Sequence, residues 1–326
     1  MATTLWATTG SDVVKALLAE RRAAGALASG LALTLVAVVD ERRVHEAEQA
    51  ATIAAAAHPC RLVMVVRHSI SADIRLDAEV QVGGRLGSTE AVVMRMYGRL
   101  GLHAESLVLP LLAPDAPVVT WWHGVPPEEI ATDALGVLAN RRVTDCAQAP
   151  DALAALRARA FDFAAGDTDL SWTRCTPWRS LLASALDGVD GQATSAAVAA
   201  EAGNPSAALL AGWLGSRLGV TTEVDTSGGP GITAAEIVMR RADGSDITVR
   251  VDRPDGAMAT LKRGEEESRA LPLSSRGLGD LLAEELRRMD PDAVYAEALS
   301  CSTDHAVDMT PRARVLVWRD PAHADT

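Results

Sequence analysis

The chain is 326 residues long, with 48% hydrophobic and 23% charged residues, the balance of an ordinary globular protein with room for two domains. Its formal net charge of -12, with no local basic patch, argues against a nucleic-acid or anionic-membrane surface. Aromatic residues make up only 3%, yet 7 of them are Trp, so Leu, Val, Ile and Ala must build most of the core and each Trp calls for an explanation.

Lys15 and Lys262 are the sole lysines, which leaves any anion recognition to the forked guanidinium of Arg. The cysteines Cys60, Cys146, Cys175 and Cys301 form neither a CxxC pair nor a zinc pattern, as expected in a reducing compartment. The N-terminus has no basic region followed by an apolar core, and the apolar run 31–39 is too short to span a bilayer. A cytoplasmic protein is expected.

Residues 12–28 carry Val13, Ala16, Leu17, Ala24 and Leu27 at helical spacing, behind Ser11 or Asp12 as N-cap. The β-branched run 31–39 predicts a strand covered on both faces. An alanine-rich helix is expected over 43–57, with Glu46 and Glu48 near its start and His58 and Pro59 as its stop. Another buried strand follows at 61–67, so strand, helix and strand should make a right-handed parallel crossover. The alternating stretch 74–82 predicts a half-exposed strand, Gly83, Gly84 and Gly87 a turn, and 90–97 a strand returning antiparallel.

Residues 103–112 look helical and lead into PLLAPDAPVVTWWHG, 110–124. There the prolines forbid a continuous helix, and Val118 and Val119 favour a strand ending at Trp121 and Trp122. Two rings near a strand end suit either core packing or recognition. Helix and loop are expected over 133–163, clearest at 151–163, with Gly166 closing the last helix. Thr176 as N-cap and Pro177 at the first helical position announce a further helix, and Asn204, Pro205 and Ser206 repeat the signal before one reaching Leu218.

The segments TTEVDT, ITAAEIVMRR, DITVRVDR, GAMATLKR and SRALPL predict short strands, followed by helices at 278–289 and 292–299 and a loose tail. The expected class is α/β in two domains. Residues 1–165 should form a mixed sheet with flanking helices, and 166–326 an α+β domain with an antiparallel sheet.

Catalytic signatures are few. SGGPG at 227–231 and GGRLG at 83–87 lack the spacing of a phosphate cradle and adjoin strands, so turns are expected. His58 and Cys60 flank Pro59 without a third ligand, and a helix terminator beside a small core thiol is the plainer reading. The stretch Trp172, Arg174, Cys175, Thr176, Pro177, Trp178 and Arg179 is the better candidate. Its arginines bracket an expected helix N-terminus, where free backbone N–H groups favour an anion such as a sugar phosphate. Alternatively they pair with Asp167, Asp169 or Asp187 and stack on Trp172 or Trp178.

Four segments, HPCRLVMVV from His58, PLLAPDAPVVTWWHG from Pro110, DLSWTRCTPWRSLLASALD from Asp169 and GNPSAALLAGWL from Gly203, resemble OpcA, the glucose-6-phosphate dehydrogenase assembly protein family, in its actinobacterial branch. The resemblance covers most of residues 30–300. His123 stands where many relatives carry proline, and Cys60 and Cys175 belong to no paired redox motif. What it implies is a non-catalytic protein without a cofactor, which promotes the oligomeric, active state of glucose-6-phosphate dehydrogenase, the entry step of the oxidative pentose phosphate pathway. Such an activator must bind one state of its partner better than another, because equal affinity shifts nothing.

The expected contact residues are Trp172, Arg174, Thr176, Pro177, Trp178 and Arg179, with Trp121 and Trp122 in support, since Trp and Arg are enriched in interface hot spots. The alternative is a sugar-phosphate or nucleotide-binding enzyme using Arg174 and Arg179.

Overall fold

The computed structural model describes residues 2–25, 30–83, 90–311 and 313–317. They fall into two compact units: Met1–Thr144 with Gly277–Pro291 and Pro311–Thr326, and Asp145–Arg276 with Asp292–Thr310. This partition departs from a break after residue 165 for a packing reason, because Leu156, Ala160 and Phe163 lie in the hydrophobic core of the second unit. Nothing in composition marks the return of 277–291 to the first.

In chain order the first unit holds β1 (Ala2–Leu5), α1 (Gly10–Ala23), β2 (Leu33–Val39), α2 (Val44–Ala57), β3 (Cys60–Arg67), β4 (Arg75–Val82), β5 (Glu90–Tyr97), α3 (Ala104–Val108), β6 (Val118–His123), α4 (Ala134–Leu138) and β7 (Arg141–Thr144). The second holds α5 (Ala152–Phe161), β8 (Asp167–Asp169), α6 (Leu170–Arg174), α7 (Thr176–Leu186), β9 (Gln192–Glu201), α8 (Pro205–Leu218), β10 (Thr222–Asp225), β11 (Ser227–Arg240), β12 (Asp246–Asp252), β13 (Met258–Arg263) and β14 (Arg269–Pro272). Then α9 (Leu278–Glu285) belongs to the first unit and α10 (Ala293–Thr303) to the second.

Strands of the first unit lie in the order β1-β4-β5-β3-β2-β6-β7. From β5 to β7 neighbours run parallel, with Val36 opposite both Val63 and Thr120, while β4 and β1 add an antiparallel edge. The parallel pairing of β2 with β3 and the antiparallel return of β5 onto β4 are both as expected. Because β3 is covered on both faces, every residue from Cys60 to Val66 is buried and the sequence there is nearly all apolar. Helix α2 buries Ala47, Ala50, Ala51 and Ala54, whose small side chains let a helix lie close on its neighbours.

At the start of β5, Glu90 meets its register partner Arg61 at 2.6 Å, and Arg21 joins at 2.9 Å. Arg61 also donates to the Leu111 carbonyl at 2.7 Å, so this buried charge is both paired and hydrogen-bonded.

Several local expectations change. Thr9, rather than Ser11 or Asp12, caps α1, its hydroxyl accepting from the Asp12 N–H. Part of the helix expected over 12–28 lies outside the described residues, as do Gly84, Gly87 and the tail at 318–326. Pro110 limits the helix expected over 103–112 to the short α3 between tighter turns. Helix and loop over 133–163 also hide β7, only four residues long with two arginines, Arg141 being buried against Glu285 of α9.

The second unit's main sheet runs β10-β9-β11-β12-β13-β14. It is antiparallel except that β10 pairs parallel with β9, which makes it mixed. In β12 the inward Ile247, Val249 and Val251 alternate with Thr248, Arg250 and Asp252. Trp172, Trp178, Leu210, Ile237, Val251, Tyr295 and Leu299 share one core. Helix α8 starts as its sequence announces, with Asn204 accepting from the Ala207 N–H at 2.8 Å and Pro205 in the first turn; Gly219, at φ 68°, ends it in the left-handed region.

The Thr176 cap is not realised. Helix α6 already runs to Arg174, capped by Asp169, whose carboxylate accepts from Ser171 N–H at 2.8 Å, so Thr176 lies inside the next helix. SGGPG likewise is the irregular beginning of β11, where Ser227 faces Glu201 and Ile232 faces Ala200, rather than a free turn.

Candidate functional site

Residues 172–179 sit in a buried polar network of the second unit. Arg174 forks onto the Asp145 carboxylate at 2.6 and 2.8 Å, and Gln148 donates to the same carboxylate at 2.9 Å. Asp169, besides capping α6, accepts from the Cys146 N–H at 2.9 Å, and Asp167 accepts from the Ala164 N–H at 2.8 Å. The Trp172 indole N–H donates to Asp292 at 2.9 Å, whose other oxygen caps α10 through the Tyr295 N–H. The Arg179 guanidinium lies 3.5 Å above the Trp172 ring and donates to the Thr176 hydroxyl at 2.9 Å; Arg253 lies 5.2 Å above the Trp178 ring.

Arginine stacking and pairing therefore follow the structural alternative, with Asp145 as the partner of Arg174. Both Trp172 and Trp178 are buried, so they are core rather than exposed anchors; Arg174, Thr176, Pro177 and Arg179 stay half-buried at the edge of the network. Trp121 and Trp122 are buried in the first unit, 0% and 1% exposed, because β6 has neighbours on both sides and covered faces. Their indole N–H groups have no partner among the described residues. Burial pushes the Cys60 and Cys175 thiols up to about 12, and the Cys146 thiol higher still, which leaves all three protonated and poorly nucleophilic.

The first unit also has a ligand crevice in outline. The chain leaves β2 towards β3 and returns to β6 on its other side, and in open α/β sheets ligands bind at such a switch, beyond the carboxyl ends of the strands. Beyond β2, however, come Asp40 and Glu41 where a phosphate would need glycine and free N–H groups. The Glu46 carboxylate in the first turn of α2 lies 3.0 Å from buried His123 at the end of β6. Glu41 holds Arg95 at 3.1 Å. A cavity of about 420 Å³ nearby is lined by Arg67, His68, Glu129, Asp133, Leu316 and Val317. Its carboxylates offset the cations, and Val317 N–H donates to the Thr132 carbonyl at 3.2 Å.

A sequence profile described as the glucose-6-phosphate dehydrogenase subunit N-terminal domain matches residues 51–161, and its C-terminal counterpart matches 165–299. The chain belongs to the OpcA family. No curated protein matches it. Solved structures that resemble it include an NAD-binding oxidoreductase from Klebsiella pneumoniae, at 10% identity over 84% of this chain and 94% of that one, TM-score 0.42. Another is a 3-ketoreductase from Actinomadura kijaniata, at 11% identity over 83% and 95%, TM-score 0.37. Likenesses so loose carry no argument about chemistry.

In this OpcA-family chain, sequence reading found the stretch 172–179 but missed its counterparts Asp145, Asp292, Arg253 and Arg276, the last donating to the Thr173 carbonyl. Asp292 lies 120 positions from Trp172, and only the fold brings them together. The one local signal is that Asp292 precedes a helix, where a capping carboxylate is expected.

Proposed function

We propose that the chain is a non-catalytic assembly factor that binds glucose-6-phosphate dehydrogenase and activates it allosterically, in the cytoplasm, at the entry to the oxidative pentose phosphate pathway. The observation that carries this reading is the consecutive match of both family domains, named for a subunit of that dehydrogenase, over residues 51–299. The half-exposed edge formed by Arg174, Thr176, Pro177 and Arg179 is the proposed contact, with the buried Trp172 and Trp178 holding it rigid. Rigid support lowers the ordering cost of binding.

The alternative, an enzyme acting on a sugar phosphate or nucleotide, is disfavoured by two observations. Arg174 is neutralised by Asp145, and the turn after β2 presents carboxylates where a phosphate would sit.

Mixing the chain with its cognate dehydrogenase should give a complex that co-elutes, and titrating it in should change the enzyme's oligomer distribution and its response to glucose 6-phosphate. No complex and no kinetic change over a wide concentration range would refute the proposal. Thermal melting with a panel of phosphorylated metabolites should show no shift. A ligand at one hundred times its dissociation constant would stabilise the chain by about 2.7 kcal/mol and favour the enzyme reading.

A further inference from the structure

Val315, Leu316, Val317 and Trp318 form an apolar run between Arg314 and Arg319, in a tail that the sequence predicts to be loose. Residues 313–317 adopt neither helix nor strand and are exposed, Val315 by 56%, Leu316 and Val317 by 44% each. Consecutive exposed apolar residues are disfavoured on a protein surface unless they recognise something. Here they have a seat. Leu316 and Val317 line the cavity of about 420 Å³ together with Ile70, Leu102 and Pro127, and the Val317 N–H donates to the Thr132 carbonyl at 3.2 Å.

That groove lies past the carboxyl end of β3, against the loop that joins β6 to α4, on the side of an α/β sheet where ligands bind. The loop holds itself in place. Ile130 is fully buried, the Thr132 hydroxyl donates to Glu129 at 3.0 Å, and Asp133 caps α4 by accepting from the Leu135 N–H at 2.9 Å. None of these contacts uses the tail, so the groove persists when the tail leaves. The tail, by contrast, keeps about half of each apolar side chain in water, and little burial holds it.

We propose that residues 313–317 are a releasable strap, which fills this groove and, on leaving, opens it to one extended segment of the same apolar and basic chemistry. Charge agrees with the seating. Between 311 and 319 the tail has three arginines and no acid, while the groove is lined by Glu128, Glu129 and Asp133 against Arg67 and His68. Tethered at Thr310, the strap competes at an effective concentration on the order of millimolar. An incoming segment therefore meets an open groove only in the released fraction, and its apparent dissociation constant rises by the inverse of that fraction.

The test uses the full-length chain and, as probe, a fluorescent synthetic peptide of residues 311–322. Leu316→Asp with Val317→Asp, both at exposed positions, should release the strap without touching the core. By fluorescence anisotropy the released chain should bind the probe at least about tenfold more tightly than the wild-type chain. Adding Ile70→Asp should weaken that binding at least about tenfold, and a probe carrying the same two aspartates should not bind, although it keeps its arginines. Circular dichroism melts check folding. Should Ile70→Asp melt early, the aspartate probe still separates seating of the apolar run from mere charge attraction. Equal binding to wild-type and released chains, no binding to either, or binding of the aspartate probe would overturn the proposal. So would a wild-type dimer in sedimentation velocity that the strap substitutions dissolve, because the tail would then sit on a second copy. The dehydrogenase is absent from these measurements, so their outcome is independent of the assembly-factor reading.

Discussion

Cys60, Cys146 and Cys175 are buried free thiols, while Cys301 is exposed on α10. Cys175 sits with its Sγ 3.2 Å from the Ser171 carbonyl and 3.0 Å from the Ser206 carbonyl, its single S–H shared between them, which ties α6 to the start of α8. An aromatic disulfide reagent should therefore modify Cys301 rapidly in the native chain and the other three only after denaturation. Fast native labelling of Cys60 or Cys175 would contradict the burial. The same burial sets a pH dependence. Both thiols are pushed from 9.0 to about 12, so between those values the native state keeps protons that the unfolded chain releases. The unfolded state binds fewer protons there, and stability must fall as pH rises through the window. Each thiol contributes up to about 1.4 kcal/mol per pH unit. Urea midpoints measured from pH 8 to 11 should be flat at first and decline above about 9.

Elements were legible where local chemistry and tertiary environment agree. Asn204 and Pro205 start α8 as their sequence announces, and the β-branched runs of β2 and β3 are buried strands. Strand β9, QATSAAVAAE, was not legible: its alanines favour a helix by propensity, and it is a strand because Ala196, Val198 and Ala200 face the core while β11 pairs along it. The α6 start was hidden for a similar reason, since Asp169 serves Ser171 and Cys146 together and only the folded chain brings the second donor near.

Close packing of α8 against α10 is equally invisible in one dimension. A Cβ at Gly212 would sit 2.2 Å from the Ala298 carbonyl oxygen, a backbone atom that cannot swing aside. Gly212→Ala should thus destabilise by about 1–3 kcal/mol despite the roughly 1 kcal/mol that alanine gains in helix propensity. Denaturant titration checks this, and an unchanged or raised midpoint would mean the helices can part freely.

At the scale of the whole molecule, the order of residues along the chain and the membership of the units do not coincide. The pattern of expected elements places a break near 165 and the two family domains meet between 161 and 165, whereas packing assigns α5 to the second unit and sends 277–291 back to the first. That return supplies two things the first unit cannot make from its own N-terminal stretch. One is Glu285, whose carboxylate meets the buried Arg141 guanidinium, the Nε donating at 3.1 Å; the other is α9 itself, with Gly279 packed against Ile53 of α2. A fragment of residues 1–165 would bury Arg141 without its carboxylate, a loss of about 3–5 kcal/mol, and would leave one face of α2 bare. Since whole domains are stable by only about 5–15 kcal/mol, the fragment should be unfolded or aggregated at 25 °C, where the full chain is folded. Near-ultraviolet circular dichroism decides the matter through Trp121 and Trp122, which are immobilised in β6 only if the sheet forms. A fragment with native-like indole bands would show that the N-terminal strands suffice alone. Loss of those bands, with their recovery when 277–291 is fused back through a flexible linker, would show that the fold of the first unit depends on a segment its sequence neighbours do not announce.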